Sequence, residues 1–166
     1  MTLEANEPAT STSRQDGEPP RTLKSARSLV LIVEDNPVTR KHLRVVLEDA
    51  GFRVEEASDG ERALAMVQAS LPDLVLQDLR LPGVPGLELL RRLRGLPGGD
   101  RLPVVACSGD LSALQAAQDP GSRFDGVVVK PIDGEQLLRT VDAALRAMSA
   151  GSRQTPRPPS APAEES

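Results

Sequence analysis

The sequence has a single cysteine, Cys107, in 166 residues. One thiol cannot build an internal disulfide framework, and it cannot supply the several thiolates of a cysteine-rich zinc site. The first residues lack the apolar run of a secretory signal peptide, and no stretch approaches the roughly 20 apolar residues that cross a bilayer. These absences predict a soluble, cytoplasmic protein with no membrane partner, and they favour a buried, unreactive role for the lone thiol.

The sequence also has no excess of positive charge. It contains 20 Lys and Arg against 24 Asp and Glu, which gives a formal net charge of −4. Binding to nucleic-acid phosphates needs a basic face, so we expect no nucleic-acid partner. The turn after the first apolar run reads EDNPVTR, and it lacks the glycines of a dinucleotide-binding or P-loop motif. A nucleotide-binding module is therefore disfavoured.

Both ends of the chain differ in composition from the middle. Residues 1–27 mix Thr, Ser, Glu, Pro and Arg without periodicity, and residues 149–166 are rich in Pro and Ser. Segments of this kind bury too little apolar surface to offset the entropy of ordering. We predict two disordered tails around one domain at residues 28–148.

Short apolar runs alternate with helical patterns five times within that domain. Strands are predicted at 29–33, 52–57, 74–77, 103–107 and 126–130, and helices at 37–50, 60–69, 87–94, 111–118 and 135–148. Continuously apolar, Val-rich runs are typical of parallel strands that helices cover on both faces. The predicted fold class is α/β with a doubly wound parallel sheet. Arg91, Arg92 and Arg94 are predicted on the solvent side of the third helix, and the weak fourth helix is expected to be short or mobile.

Polar residues with distinct chemistry follow four of the predicted strands. Glu34 and Asp35 close the first strand, Asp78 the third, Ser108 the fourth and Lys130 the fifth. The carboxyl ends of parallel strands lie at one edge of the sheet, so we expect these side chains to meet there. Clustered carboxylates repel one another unless a hard cation neutralises them, which points to Mg²⁺.

Such a cluster is suited to binding a phosphoryl group. Lys130 supplies a fixed positive charge, and Ser108 supplies a hydroxyl donor. Phosphoryl transfer depends mainly on positioning and charge neutralisation, and a carboxylate serves as the nucleophile. We predict Asp78 as that nucleophile because it stands alone at the end of a buried strand, whereas Glu34 and Asp35 form an adjacent pair suited to metal ligation.

The motifs LVLIVEDN, LVLQDLRLPGVPGLELL, VVACSGD and GVVVKPID resemble those of the response-regulator receiver family over residues 28–148. Their order and spacing also agree, with 43 positions from Asp35 to Asp78, 30 from Asp78 to Ser108 and 22 from Ser108 to Lys130. The resemblance implies a flavodoxin-like sheet of five parallel strands with five flanking helices.

The resemblance further implies a signalling phosphoacceptor of two-component or phosphorelay systems, not a metabolic enzyme. A sensor histidine kinase or a histidine phosphotransfer protein would donate the phosphoryl group to Asp78, and slow self-dephosphorylation would follow. Mg²⁺ would be held by Glu34, Asp35, Asp78 and the backbone carbonyl of Arg80. Ser108 and Lys130 would then contact the phosphoryl group, which makes them the catalytic and switch residues of the family pattern.

Output in this family uses the face made by the fourth helix, fifth strand and fifth helix, which would bind a downstream protein or form a weak homodimer. The family's usual aromatic switch falls on Val127 here, so an aromatic flip is excluded. Because residues 149–166 are predicted to be disordered, the resemblance implies a stand-alone receiver that signals through another protein.

Two alternatives use the same fold class. One is a phosphatase with a strand-end Asp-x-Asp motif, but Arg80 stands where its second aspartate would supply the general acid. The other is a receiver-fold scaffold that binds partners without phosphorylation, which Val127 and the weak fourth helix keep open.

Overall fold

The computed structural model describes residues 28–151. The predicted N-terminal tail and residues 152–166 of the C-terminal tail lie outside the described residues, and the division into a domain and two tails stays a prediction. Within the described range five strands alternate with five α-helices. The elements are β1 Leu29–Val33, α1 Pro37–Asp49, β2 Arg53–Ala57, α2 Gly60–Ala69, β3 Leu74–Asp78, α3 Gly86–Gly95, β4 Val104–Ser108, α4 Leu111–Gln118, β5 Gly126–Val129 and α5 Gly134–Gly151, with a short 3₁₀ turn at Gly99–Arg101.

The five strands form one parallel sheet in the order β2-β1-β3-β4-β5. Every residue of β1, β3 and β4 is buried, as strands covered on both faces require. Alternate residues of β3 join different cores: Leu74 and Leu76 pack with α1 and α5, and Val75 packs with α2 and α3. The predicted doubly wound α/β fold is confirmed.

Polar caps start α1 and α4 at the same edge of the sheet at which β1 and β4 end. The Asn36 side chain accepts hydrogen bonds from the N–H groups of Val38 and Thr39, and Pro37 is the first residue of α1. Asp110 caps α4 in the same way. These caps fix the short turns that follow β1 and β4, and they thereby position the residues that lead from strand to helix.

The fourth helix has 8 residues and is the shortest of the α-helices in residues 28–151, which confirms the expectation of a short element. Its sequence carries no charge from Leu111 to Gln118, and Leu111 is exposed. The expected mobility of this segment stays a prediction. The fifth helix continues to Gly151, past the predicted end at Met148.

Arg94 corrects the prediction that the arginines of the third helix all face solvent. Its side chain is only 10% exposed and lies across the amino ends of β4 and β5. The guanidinium donates to the carbonyl oxygens of Leu102 and Arg123 and pairs with Asp125 at 3.0 Å. Helical periodicity placed Arg94 on a polar face, but that face meets the loop before β5 instead of water.

Candidate functional site

The carboxyl ends of β1, β3, β4 and β5 bring the predicted residues to one edge of the sheet. Glu34 follows β1, Asp78 is the last residue of β3, Ser108 is the last residue of β4, and Lys130 follows β5. Because β3 is the central strand, Asp78 lies between the acidic residues of β1 and the hydroxyl of β4. The juxtaposition expected from the sequence is therefore present.

Three carboxylates meet in this cluster. Glu34, Asp35 and Asp78 each offer an oxygen, and these oxygens lie within 4.8 Å of one another. Glu34 and Asp78 are only 1% and 5% exposed, whereas Asp35 is exposed. Burial raises the pKa of Glu34, and its hydrogen bonds with Lys130 and the Asn36 N–H only partly offset that effect. The oxygen-only donor set fits a hard cation such as Mg²⁺.

Lys130 supplies the positive charge inside the cluster. Its Nζ lies 2.8 Å from Glu34 Oε2 and 3.2 Å from Asp78 Oδ2. Burial acts to lower the pKa of Lys130, but the hydrogen bond to Glu34 and the nearby Asp78 charge outweigh burial and raise it. The ammonium group therefore stays charged at neutral pH and bridges two of the three carboxylates.

Backbone donors position the polar side chains of β3 and β4. The Arg80 N–H donates to Asp78 Oδ1 at 2.9 Å, and the Asp110 N–H donates to Ser108 Oγ at 3.1 Å. Ser108 is buried, and its carbonyl oxygen accepts a hydrogen bond from the Lys130 N–H at 2.9 Å. Ser108 and Lys130 thus lie at the carboxyl ends of the neighbouring strands β4 and β5, at the edge where Asp78 ends β3.

Arg80 and Asp110 form an ion pair that the sequence analysis did not predict. Arg80 Nε lies 3.1 Å from Asp110 Oδ2, and Nη2 contacts the same oxygen. The hydrogen bond from the Arg80 guanidinium lowers the pKa of Asp110. The signal in the sequence was their matched placement, with opposite charges two positions beyond Asp78 and Ser108.

Gln77 makes a second contact near the site that the sequence did not predict. It is fully buried, and its Nε2 donates to the carbonyl oxygen of Gly86 at 2.7 Å, while in residues 28–151 its Oε1 has no hydrogen-bond partner. A Cβ at Gly86 would lie 2.9 Å from the Leu79 backbone, so glycine permits the close approach of α3 to this loop. Gln77 therefore ties the loop after Asp78 to the start of α3.

Cys107 is buried at 1% exposure, as the sequence analysis expected, and burial raises the pKa of its thiol to about 12. We predict that Ellman's reagent at pH 8 labels the native protein at least about a hundredfold more slowly than the urea-unfolded protein, because few thiolates form and access is blocked. The absorbance of the released thiolate measures both rates. Equal rates in the two states would contradict the buried placement of Cys107.

Residues 30–142 match the family described as the response regulator receiver domain. The chain belongs to this family. It is 37% identical over 117 residues to the phosphate regulon transcriptional regulatory protein PhoB of Rhizobium meliloti, a match that covers 70% of this chain and 52% of that protein. The chain thus spans about half the length of this regulator.

Two solved receiver structures have the same fold. A putative response regulator from Chloroflexus aurantiacus is 32% identical, with a TM-score of 0.68 over 72% of this chain and 98% of that one. The receiver domain of the sensor histidine kinase PA1611 from Pseudomonas aeruginosa is 28% identical, with a TM-score of 0.65 over 72% of this chain and 98% of that one. That structure has a magnesium ion coordinated in its active-site cleft.

Membership places the chain among the receiver domains of two-component response regulators, which are phosphoacceptor signalling domains that interact with histidine kinases or phosphotransfer proteins. Receivers bind Mg²⁺ in an acidic pocket, and this chain has a cluster of three carboxylates at Glu34, Asp35 and Asp78. None of the helices within residues 28–151 is long and apolar enough to span a membrane. Val127, at the position of the family's aromatic switch, is half-buried on β5.

Proposed function

We propose that this chain is a phosphoacceptor that takes a phosphoryl group onto Asp78 from a partner phosphohistidine. The observation that carries the proposal is the bridge made by Lys130, whose ammonium contacts both Asp78 and Glu34 within a cluster of three carboxylates. A nucleophilic carboxylate next to a fixed cation and a buried hydroxyl has the components that phosphoryl transfer requires.

In the proposed reaction an Asp78 carboxylate oxygen attacks phosphorus. The new O–P bond forms as the N–P bond of phosphohistidine breaks, and the leaving imidazole keeps the electron pair and takes a proton from solvent. Lys130 and Ser108 stabilise charge on the phosphoryl oxygens. Bound Mg²⁺ would neutralise charge between the carboxylates and the phosphoryl group, and the proposed ligands are Glu34, Asp35, Asp78 and the Arg80 carbonyl oxygen.

The phosphoryl donor is proposed to be a sensor histidine kinase or a histidine phosphotransfer protein. Hydrolysis of the aspartyl phosphate, assisted by the same residues, would reset the signal. The proposed output surface is the face of α4, β5 and α5, which would bind a downstream protein or support a weak homodimer. We also propose a cytoplasmic location, which is compatible with these phosphodonor and downstream partners.

Incubation of the purified protein with Mg²⁺ and a phosphodonor tests the proposal. Acetyl phosphate and a phosphorylated histidine kinase serve as separate donors, and intact mass measures the product. We expect a gain of one phosphoryl group that requires Mg²⁺ and is removed by hydroxylamine, since acyl phosphates react with it. An unchanged mass with both donors would overturn the proposal.

A phosphorylation-independent scaffold is the second candidate function, and Val127 favours it because the chain lacks the aromatic switch. In that case the α4, β5 and α5 face would bind its partner equally well before and after treatment with the phosphodonor. Binding that depends on the phosphoryl group would exclude the scaffold.

Magnesium is expected to stabilise the protein through the carboxylate cluster. At about a hundred times its Kd, a ligand specific for the native state stabilises it by about 2.7 kcal/mol, which raises the Tm of a domain of this size by roughly 10 °C. Calorimetric melts with Mg²⁺ and with EDTA measure this shift. An Asp35→Asn variant should lose most of it, whereas Asp49→Asn, at an exposed aspartate of α1, should retain it. An equal shift in both variants would exclude Asp35 as a ligand.

A further inference from the structure

The Arg80–Asp110 ion pair joins the loop that follows Asp78 to the loop that follows Ser108. Each member also holds a side chain of the site through its own backbone N–H: Arg80 donates to Asp78 Oδ1, and Asp110 donates to Ser108 Oγ. The pair therefore links the loop after β3 to the loop after β4, and the backbone of each loop contacts a polar side chain of the site.

Asp110 is also the cap of α4. Its Oδ1 accepts hydrogen bonds from the N–H groups of Ser112 and Ala113 at 2.9 and 3.3 Å, while its Oδ2 binds Arg80. One carboxylate thus serves the first turn of α4 and the Arg80 guanidinium at the same time. Because α4 is short and its first residue, Leu111, is 72% exposed, the position of its N-terminus depends on Asp110.

The ion pair is weak enough to exchange partners. The Arg80 side chain is 73% exposed, and exposed ion pairs contribute little to stability. A phosphoryl group on Asp78 would carry a charge of about −1.5 to −2 and three acceptor oxygens, against the single charge of Asp110. Guanidinium groups bind such oxygens in bidentate fashion. Since the Arg80 backbone already contacts Asp78, rotation of its side chain would bring the guanidinium to the phosphoryl group.

We propose that phosphorylation of Asp78 draws the Arg80 guanidinium away from Asp110 and thereby releases the N-terminus of α4. The inference rests on the proposed function, and it specifies how the phosphorylated site acts on the output face. The route consists of a side-chain exchange between two anions. It needs no aromatic residue on β5, where the chain has Val127.

Amide hydrogen exchange at residues 110, 112 and 113, followed by NMR, tests this route. Wild type and Arg80→Met are compared before and after treatment with acetyl phosphate and Mg²⁺, and intact mass gives the phosphoryl occupancy of the same samples. In wild type, phosphorylation should speed exchange at these amides several-fold, because the release of Asp110 lets the first turn of α4 open locally. In Arg80→Met, exchange should already be fast without phosphorylation and should change little with it.

The control is Arg91→Met, which removes an exposed arginine from α3 and should exchange like wild type. Slow exchange in unphosphorylated Arg80→Met, or no change in wild type that carries the phosphoryl group, would overturn the inference alone. A wild-type chain that gains no phosphoryl group would overturn the proposed function, and this inference with it. The mass measurement distinguishes the two failures.

Discussion

An Asp78→Asn variant is expected to gain no phosphoryl group from acetyl phosphate or from a phosphorylated histidine kinase. An amide oxygen is a far weaker nucleophile than a carboxylate oxygen, so the acyl phosphate cannot form at this position. The substitution keeps the shape of the side chain and the acceptor for the Arg80 N–H at 2.9 Å. The loss is therefore expected to come from the chemistry of the side chain and not from a displaced loop.

Two other carboxylates lie within 4.8 Å of this position, and the structure separates their roles. Glu34 is buried, and its two oxygens accept hydrogen bonds from the Asn36 N–H and from Lys130. Asp35 is exposed and lies on the side of Asp78 away from Ser108, because β3 separates β1 from β4. Of the three acidic residues, only Asp78 is on a strand that pairs with β4, the strand that carries Ser108.

The matched control is Asp49→Asn, which removes one exposed carboxylate from α1 and should gain the phosphoryl group as wild type does. Intact mass after a fixed incubation measures all three proteins, and thermal melts verify that each is folded. A phosphoryl group on the Asp78→Asn variant would mean that Glu34, Asp35 or a residue outside the cluster is the acceptor.

A Lys130→Met variant is expected to accept the phosphoryl group about a hundredfold more slowly than wild type, since the loss of one preorganised charge stabiliser costs roughly that factor. Methionine keeps most of the side-chain volume but removes the ammonium that lies 2.8 Å from Glu34 and 3.2 Å from Asp78. Charge that develops on the phosphoryl oxygens would then lack its fixed protein cation.

Lys41→Met is the control for this substitution, because Lys41 is exposed on α1. The initial rate of phosphoryl incorporation, measured by mass against time at saturating Mg²⁺, should be unchanged in this control. A Lys130→Met protein that is folded and reacts at the wild-type rate would show that Lys130 neutralises the resting carboxylates only.

The sequence predicted the architecture because its apolar runs are short, Val-rich and separated by amphipathic stretches. Its strand ends were less accurate, since β3 and β4 include Asp78 and Ser108 as their last residues. Pairing between strands is made by backbone groups, so a polar side chain does not end it. The pairing continues through Asp78, which lies opposite Cys107, and through Ser108, which lies opposite Val129. The polar side chains therefore mark the functional edge, and they belong to the last residues of the strands and not to the loops that follow.

The topology of the sheet made it predictable that the polar residues of the site lie close together. Parallel strands share one carboxyl edge, so a polar residue at the end of each strand must approach the others whatever the details of packing. Contacts between loops follow no such rule. The burial of Arg94 and the Arg80–Asp110 pair depend on how segments distant in sequence pack together. The Gln77 bond to Gly86 depends on the path of the loop between β3 and α3. Periodicity carries no information on either.

The most direct test of the central claim is to locate the phosphoryl group within the chain. The protein is phosphorylated with Mg²⁺ and a phosphodonor and reduced with borohydride, which converts an aspartyl phosphate to homoserine, and its peptides are then sequenced by mass spectrometry. We predict homoserine at position 78, in amounts that match the phosphoryl occupancy, and unchanged acidic residues at positions 34 and 35. Homoserine at another position, or an intact Asp78 in protein that carries a phosphoryl group, would contradict the assignment of Asp78 as the acceptor.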